Sequence, residues 1–240
     1  MNSRHLFGVV TPSSNTVLEP LTSAMLAQVP GASAHFSRFT VTRIGLSGAA
    51  LAQFDTAPMV AAARLLADAK VGVIGWSGTA ASWLGFDRDE ALCAEIEAAT
   101  QTRACTSVLA LNELMGLMST RRFALVSPYT DDVQQRILQN YHRHGYEVMA
   151  EAHRGISDNF AFSEITEEQI LSMCRQVAVA RPDAIVVMCT NMRGARLAPV
   201  VEAELGIPLL DSTSAVVWKA LKLLGADASA VRGWGRLFAL

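Results

Sequence analysis

The sequence predicts an α/β protein with two pseudo-symmetric domains, each built on a parallel sheet, and an active site in the cleft between them. Two observations lead to this fold class. Short β-branched strands alternate along the chain with helical segments rich in alanine and leucine, which is the pattern of parallel α/β units. Three motifs of the first half then recur in the same order in the second half.

Polar loops follow the predicted strands of the first half. The strand at 7–10 runs into the loop 11–16, where Ser13, Ser14 or Asn15 is suited to cap a helix. The other predicted elements of this half are a strand at 34–41, a helix at 59–69, a strand at 71–76 that runs into 77–82, a helix at 89–100 and a helix at 104–118.

An internal duplication accounts for the recurring motifs better than chance similarity between α/β strands. Three pairs of segments match: 7–15 with 123–131, 73–79 with 184–190, and 105–109 with 212–216. We therefore expect a first domain of 1–114 plus 215–240, in which the end of the chain returns, and a second domain of 115–214, both of ordinary domain size.

Composition and charge argue against several classes of function. The net charge is −2 and no run of Lys or Arg occurs, so a nucleic-acid surface is not expected. No apolar run reaches the length of a membrane span, and the N-terminus lacks a signal-peptide core, so we expect a cytoplasmic protein. The cysteines and histidines show no metal-binding spacing, so neither a metal site nor disulfides are expected.

The second predicted strand of the second half ends at a cysteine. The apolar run 184–188 changes abruptly to Cys189-Thr190-Asn191. Ligands of open parallel sheets bind beyond the carboxyl ends of the strands, and a thiol there can act as nucleophile or proton donor. The alternative is that Cys189 is a small core residue, as free cysteines often are. If the two halves face each other, four loops line one cleft: 12–15, 77–82, 127–130 and 189–194.

These motifs resemble the Asp/Glu racemase superfamily, and within it maleate cis-trans isomerase and arylmalonate decarboxylase. The loop Pro12-Ser13-Ser14-Asn15-Thr16 is similar to the isomerases, Ser127-Pro128-Tyr129 to both branches, and Gly233-Trp234-Gly235-Arg236 to the decarboxylase tail. The resemblance implies an enzyme without cofactor or metal that acts on a small mono- or dicarboxylate. It also implies one cysteine from each half, on either side of the substrate. We expect a homodimer, the commonest symmetric assembly.

One departure from the superfamily pattern affects the chemistry. The repeat pairs Cys189 with Gly78, where racemases and isomerases have cysteine and the decarboxylase has glycine. A single thiol is enough for decarboxylation, in which Cys189 protonates an enediolate held by Thr79, Tyr129 and the Thr190 N–H. Ala80 stands where the decarboxylase offers a further hydroxyl.

Other features resemble the isomerases instead. In that branch, residues matching Asn15 and Asn159 bind substrate carboxylates, although Asn15 is equally suited to be a helix cap. Decarboxylation is the leading hypothesis, isomerisation with Cys189 as nucleophile is the second, and a small-carboxylate binding protein without catalysis is the third. The sequence also predicts that Gly78→Cys restores a second acid/base group, and that Cys189 is the most reactive thiol.

Overall fold

Two parallel four-stranded sheets with flanking helices make up the part of the chain that the computed structural model describes, residues 4–240. The elements of the first half are β1 (His5–Pro12), α1 (Leu18–Leu26), β2 (Ala32–Phe39), α2 (Gly48–Ala52), α3 (Thr56–Asp68), β3 (Val73–Trp76), α4 (Ala81–Leu84), α5 (Phe86–Thr100), β4 (Arg103–Thr106) and α6 (Ser107–Leu117). Those of the second half are β5 (Arg122–Val126), α7 (Asp131–Arg143), β6 (Glu147–Ala152), α8 (Glu167–Ala178), β7 (Ala184–Val187), α9 (Ala198–Leu205), β8 (Leu209–Asp211) and α10 (Ser212–Leu224). Short 3-10 helices lie at Ala161–Glu164, Ala195–Leu197, Ala228–Ala230 and Arg236–Ala239.

The two sheets have the same strand order and the same register between their two central strands. The orders are β2-β1-β3-β4 and β6-β5-β7-β8. Phe7 of β1 pairs with Val73 of β3, and Phe123 of β5 pairs with Ala184 of β7. The predicted two-domain α/β fold is thereby confirmed. The predicted site loops follow β3 and β7. Gly78 and Cys189 occupy equivalent positions in these loops, because each lies five residues after the paired residue Val73 or Ala184.

Burial explains why the central strands could be recognised in the sequence. All four residues of β3 and of β7 are buried, as strands covered by helices on both faces must be. The edge strands β2 and β6 are mostly half-buried, so their sequences lack a continuous apolar run. The alternation in the first half still predicted β2, at 34–41 where the strand is Ala32–Phe39, whereas β6 was not predicted.

The predicted helix at 104–118 is wrong at its start. Residues 103–106 form β4, which pairs with β3, and the helix α6 begins at Ser107. Thr106 caps it by accepting a hydrogen bond from the Leu109 N–H at 3.2 Å. The strand was missed because Arg103-Ala104-Cys105-Thr106 lacks the continuous apolar run that marks β3 and β7. The third motif match is also offset: Thr106 pairs with Trp76 and Asp211 with Val187, which makes Thr106 equivalent to Asp211.

The end of the chain contacts the first sheet. The helix α10 packs against α6 and against strands β1, β3 and β4. The residues that follow α10 also contact the second half: Arg196 lies over the Trp234 ring, and the Arg236 N–H donates to Glu202. The division into 1–114 plus 215–240 and 115–214 therefore stays a prediction. Within residues 4–240, none of the helices combines the length and apolar character that a bilayer crossing requires.

Candidate functional site

A small cavity lies where the strand-end loops of the two halves meet. Eight of the predicted site residues line it: Pro12, Gly78, Thr79, Ala80, Tyr129, Asn159, Cys189 and Thr190. Its remaining walls are apolar and consist of Val41, Ile44, Phe54, Trp76 and Trp83. Its free volume of about 20 Å³ is enough for one water molecule, so a substrate has to displace lining side chains. Among the described residues, none that lines this cavity carries a charge.

The cysteine of the second half lies in this cavity. Cys189 is buried, and its Sγ accepts a hydrogen bond from the Asn191 N–H at 3.4 Å. Burial raises the pKa of the Cys189 thiol to about 12, although the Asn191 N–H and the Tyr129 hydroxyl act in the opposite direction. The group is therefore a neutral thiol at physiological pH and can donate a proton.

Trp76 occupies the space next to Gly78, where the superfamily pattern would place a second thiol. A Cβ built on Gly78 would lie 2.5 Å from both Cε2 and Cη2 of Trp76, and closer still to Cζ2. The indole is 1% exposed and packs on Phe39, with ring centroids 5.2 Å apart. The prediction that Gly78→Cys restores a second acid/base group therefore holds only if the Trp76 indole moves, because a Cβ at position 78 has no room beside it.

The cysteines do not differ in burial as the sequence suggested. Cys105, Cys174 and Cys189 are all buried, whereas Cys93 is partly exposed. Burial is the largest cause of a raised pKa at each of the four thiols. The strand-end loops enclose Cys189, so accessibility does not favour it over Cys93, and its expected higher reactivity stays a prediction.

Two hydroxyl groups from opposite halves meet in the cavity. Thr79 Oγ1 and the Tyr129 hydroxyl share a hydrogen bond of 2.6 Å. The Tyr129 ring is held edge-on by Trp83 and by Phe162. Burial raises the pKa of Tyr129 well above its ordinary value, so the phenol is neutral and one proton of the pair remains available for a ligand. This pair is suited to hold an oxyanion.

Asn15 acts as a helix cap and as a link between the halves. Its Oδ1 accepts hydrogen bonds from the N–H groups of Val17 and Leu18 at the start of α1. Its Nδ2 donates to Thr190 Oγ1 at 3.2 Å, and Thr190 donates in turn to the Ser77 carbonyl. Asn15 does not line the cavity, and its amide lies behind Thr190. The structure therefore favours the interpretation of Asn15 as a helix cap over that of a substrate-binding residue.

Ser13, Ser14 and Asn191 also lie behind the cavity wall. Ser13 and Ser14 donate hydrogen bonds to the Val41 carbonyl at 3.3 and 2.7 Å and hold the loop that carries Val41. Asn191 donates to the Asn159 carbonyl and accepts from the Thr16 N–H. These contacts join the two halves around the site.

Asn159 is the one predicted amide that reaches the cavity. Its Nδ2 donates to Ser14 Oγ at 2.7 Å, which leaves a second N–H for a ligand. Its backbone N–H donates to the Thr42 carbonyl at 2.9 Å, so the segment is held against the first half. Asn159 is therefore placed to donate to a ligand carboxylate once the lining side chains make room for it.

Aromatic side chains form part of the apolar wall of the cavity. Trp76 and Trp83 line the cavity, whereas Leu84 lines a neighbouring cavity of about 310 Å³. Met192 is fully buried away from both. The sequence analysis did not name Val41, Ile44 and Phe54 as site residues. They follow the end of β2 at Phe39, on either side of the short helix α2, and no polar strand-end motif marks them. Asp211, whose Oδ2 lies close to Gly194 beneath the Cys189 loop, does not line the cavity.

A metal centre is not built into the described residues. Across 4–240, no three or more His, Cys, Asp or Glu side chains cluster in a way that could hold an ion.

Comparison with known proteins gives consistent results. The family model described as arylmalonate decarboxylase matches residues 19–238. The chain is 29% identical to a maleate isomerase of Nocardia farcinica over 239 residues, covering 96% of this chain and 94% of that protein. It is 27% identical to an arylmalonate decarboxylase of Bordetella bronchiseptica over 205 residues, covering 83% and 85%. The N. farcinica isomerase, solved as a variant with a covalently bound succinylcysteine intermediate, superposes with a TM-score of 0.88, 25% identity and 98% coverage of both chains.

Proposed function

The chain belongs to the arylmalonate decarboxylase family, and from that premise we propose that it is a cofactor-independent decarboxylase of substituted malonates. The observation that carries the proposal is the single thiol. Cys189 is the only cysteine that lines the cavity among the described residues, and Trp76 fills the place next to Gly78 where a second thiol would stand. One acid serves one face of a substrate, which suits decarboxylation followed by protonation better than two-base racemisation.

The uncharged apolar wall favours loss of a carboxylate. A carboxylate placed against Val41, Ile44, Phe54 and the two tryptophans meets no cation and little hydrogen bonding, so its charge is poorly solvated. Breaking the bond to the α-carbon releases carbon dioxide and moves the electron pair onto the remaining carboxylate as an enediolate. The charge then lies on oxygens that the polar side of the cavity can bind.

The polar side supplies donors and the proton. The Tyr129–Thr79 pair and the second N–H of Asn159 are available as hydrogen-bond donors in the cavity. The Cys189 S–H proton transfers to the α-carbon and forms a C–H bond on one face, which leaves a thiolate. Because the raised pKa of Cys189 keeps it protonated beforehand, the thiol is ready as a general acid.

Maleate isomerisation is the second candidate, and Asn159 favours it. An amide donor in the cavity is suited to a second carboxylate that stays on the substrate. The reaction would need Cys189 as a thiolate that adds to the double bond, and burial opposes that form of the group. We therefore place isomerisation second.

A substrate panel separates the candidates. Purified protein is incubated with phenyl-, alkyl- and unsubstituted malonates and with maleate, while carbon dioxide release and fumarate formation are followed. We expect carbon dioxide only, with deuterium from deuterium oxide incorporated into one enantiomer of the product. Cys189→Ala should reduce turnover by about 100-fold or more, the usual contribution of a general acid. Cys174→Ser, a buried cysteine outside the cavity, is the matched control.

Three other outcomes would contradict the proposal. Fumarate together with a trapped mass adduct on Cys189 would establish the isomerase. Ligand-induced increases in Tm without turnover would indicate a carboxylate-binding protein. Undiminished decarboxylation in Cys189→Ala would remove the thiol from the mechanism.

A further inference from the structure

A groove that contains two arginines lies between the two halves, apart from the substrate cavity. Val17, Pro20 and Leu21 of the first half form its apolar wall, and Arg193 and Arg196 of the second half supply positive charge. Among residues 4–240, none lines both this groove and the substrate cavity. Its free volume of about 290 Å³ is close to the lower end of the range for small-molecule sites. We call it the basic groove.

Arg193 differs from the other arginines of the described chain. It is the only arginine within residues 4–240 that is partly buried, whereas all the others are exposed. Its Nη2 donates hydrogen bonds to the Ser163 and Ile165 carbonyls at 2.8 and 3.4 Å, and its buried Nε has no partner. No carboxylate of the described residues pairs with it. A partly buried cation without an anionic partner is destabilising, because it loses hydration without a compensating charge.

Arg196 adds a second unpaired charge to the basic groove. Its guanidinium lies 4.9 Å from the centre of the Trp234 ring, and it has no carboxylate partner in the part of the chain that the structure describes. No acidic side chain of the described residues lines the groove. The acidic residue of α1, Glu19, pairs with Arg38 instead. The groove therefore holds two cations whose charge the described protein does not balance.

We propose that the basic groove binds an organic carboxylate with an apolar body, either aryl or alkyl. A guanidinium presents parallel N–H donors at the spacing of the two carboxylate oxygens, so Arg193 and Arg196 are suited to the charged end of such a ligand. The apolar wall covers the body of the ligand and removes its surface from water. This site is distinct from the proposed decarboxylation site, and Cys189 takes no part in it.

Hydrogen bonds connect the basic groove to the loops of the active site. Thr16 lines the groove, and its N–H donates to Asn191 Oδ1 at 3.0 Å. The Asn191 amide donates in turn to the carbonyl of Asn159, which lines the substrate cavity. A ligand in the groove contacts residues of both halves, so its binding favours the folded arrangement in which the halves meet. We therefore expect the ligand to raise Tm.

Calorimetric titration of the full chain with 4-bromophenylacetate tests the proposal. This probe should bind at least about tenfold more tightly than acetate, which has the carboxylate but no apolar body. Arg196→Gln should weaken its binding by about 10–100-fold, the range expected for hydrogen bonds to a charged group. Arg193→Lys keeps the charge but loses the planar fork, and should weaken binding by about tenfold. Arg64→Gln removes the same charge from an exposed position on α3 and is the matched control.

Anomalous scattering from bromine locates the probe in soaked crystals. We expect the bromine beside the apolar wall of the basic groove. A bromine only beside Cys189, equal binding by Arg196→Gln and Arg64→Gln, or no calorimetric binding would overturn the proposal. Acetate or inorganic phosphate that binds as tightly as 4-bromophenylacetate would exclude the apolar body from recognition and overturn it as well. None of these measurements depends on turnover, so the result is independent of the proposed decarboxylation.

Discussion

The substitution Gly78→Cys tests the most specific feature of the site, the contact between Gly78 and Trp76. A new Cβ would lie 2.5 Å from two indole atoms, whereas ordinary van der Waals contact begins near 3.4 Å. Both residues are enclosed, so the indole has to shift by about 1 Å or more against Phe39. Overpacking of this kind costs about 1–3 kcal/mol, and we expect a value near 3 because the clash is with a rigid ring. For a chain of this length that lowers Tm by roughly 6–12 °C.

A double-mutant cycle measures the contact itself. Trp76→Ala alone should cost about 4 kcal/mol, as expected for a buried tryptophan. If the two sites were independent, the double variant would lose about 7 kcal/mol. Because the missing indole leaves room for the new thiol, we expect a loss of only about 4 kcal/mol, and hence a coupling of about 3 kcal/mol. Urea denaturation of the four proteins gives the free energies.

The same proteins report on chemistry. Only the double variant should exchange the α-proton of a chiral 2-aryl acid on both faces in deuterium oxide, because only there can a second thiol take its place opposite Cys189. Gly116→Cys is the control, since a Cβ at that exposed helical glycine meets nothing within 4 Å. The reasoning would be refuted by a Gly78→Cys single variant that is as stable as the wild type, or by a coupling energy of zero.

Three further predictions concern other groups. Tyr129→Phe should lower kcat for decarboxylation by about 10–100-fold with little change in stability, because one donor to the enediolate is lost while the ring packing remains; equal activity would exclude the phenol as a donor. Iodoacetamide should label the partly exposed Cys93 before Cys189 in the native protein, and peptide mass spectrometry that finds the reverse order would contradict the burial of Cys189. Burial raises the pKa of Asp89 from 3.8 to about 7, so the folded state binds more protons than the unfolded state and the free energy of unfolding falls as pH rises from about 4 to about 7. In Asp89→Asn up to roughly 4 kcal/mol of that pH-dependent loss should disappear. Denaturation curves of the variant with the same pH dependence as the wild type would refute this.

The sequence by itself determined the fold class and indicated the loops that form the candidate site. Buried parallel strands need continuous β-branched runs, and their helices need caps, so β1, β3, β5 and β7 and the loops after them could be recognised locally. The duplication added register, because matched motifs in two halves must fold alike. This is why Gly78 and Cys189 could be paired before any coordinates were considered.

Only the tertiary structure decided what surrounds those two residues. The contact of Trp76 with Gly78, the burial of Cys189 and the position of Asp211 under its loop depend on side chains that come together from different strands and loops. Periodicity and capping describe neighbours along the chain, whereas packing brings together residues separated by many positions. The sequence therefore predicted that one thiol stands in the cleft, and the packing of Trp76 decided that a cysteine at position 78 has no room beside it.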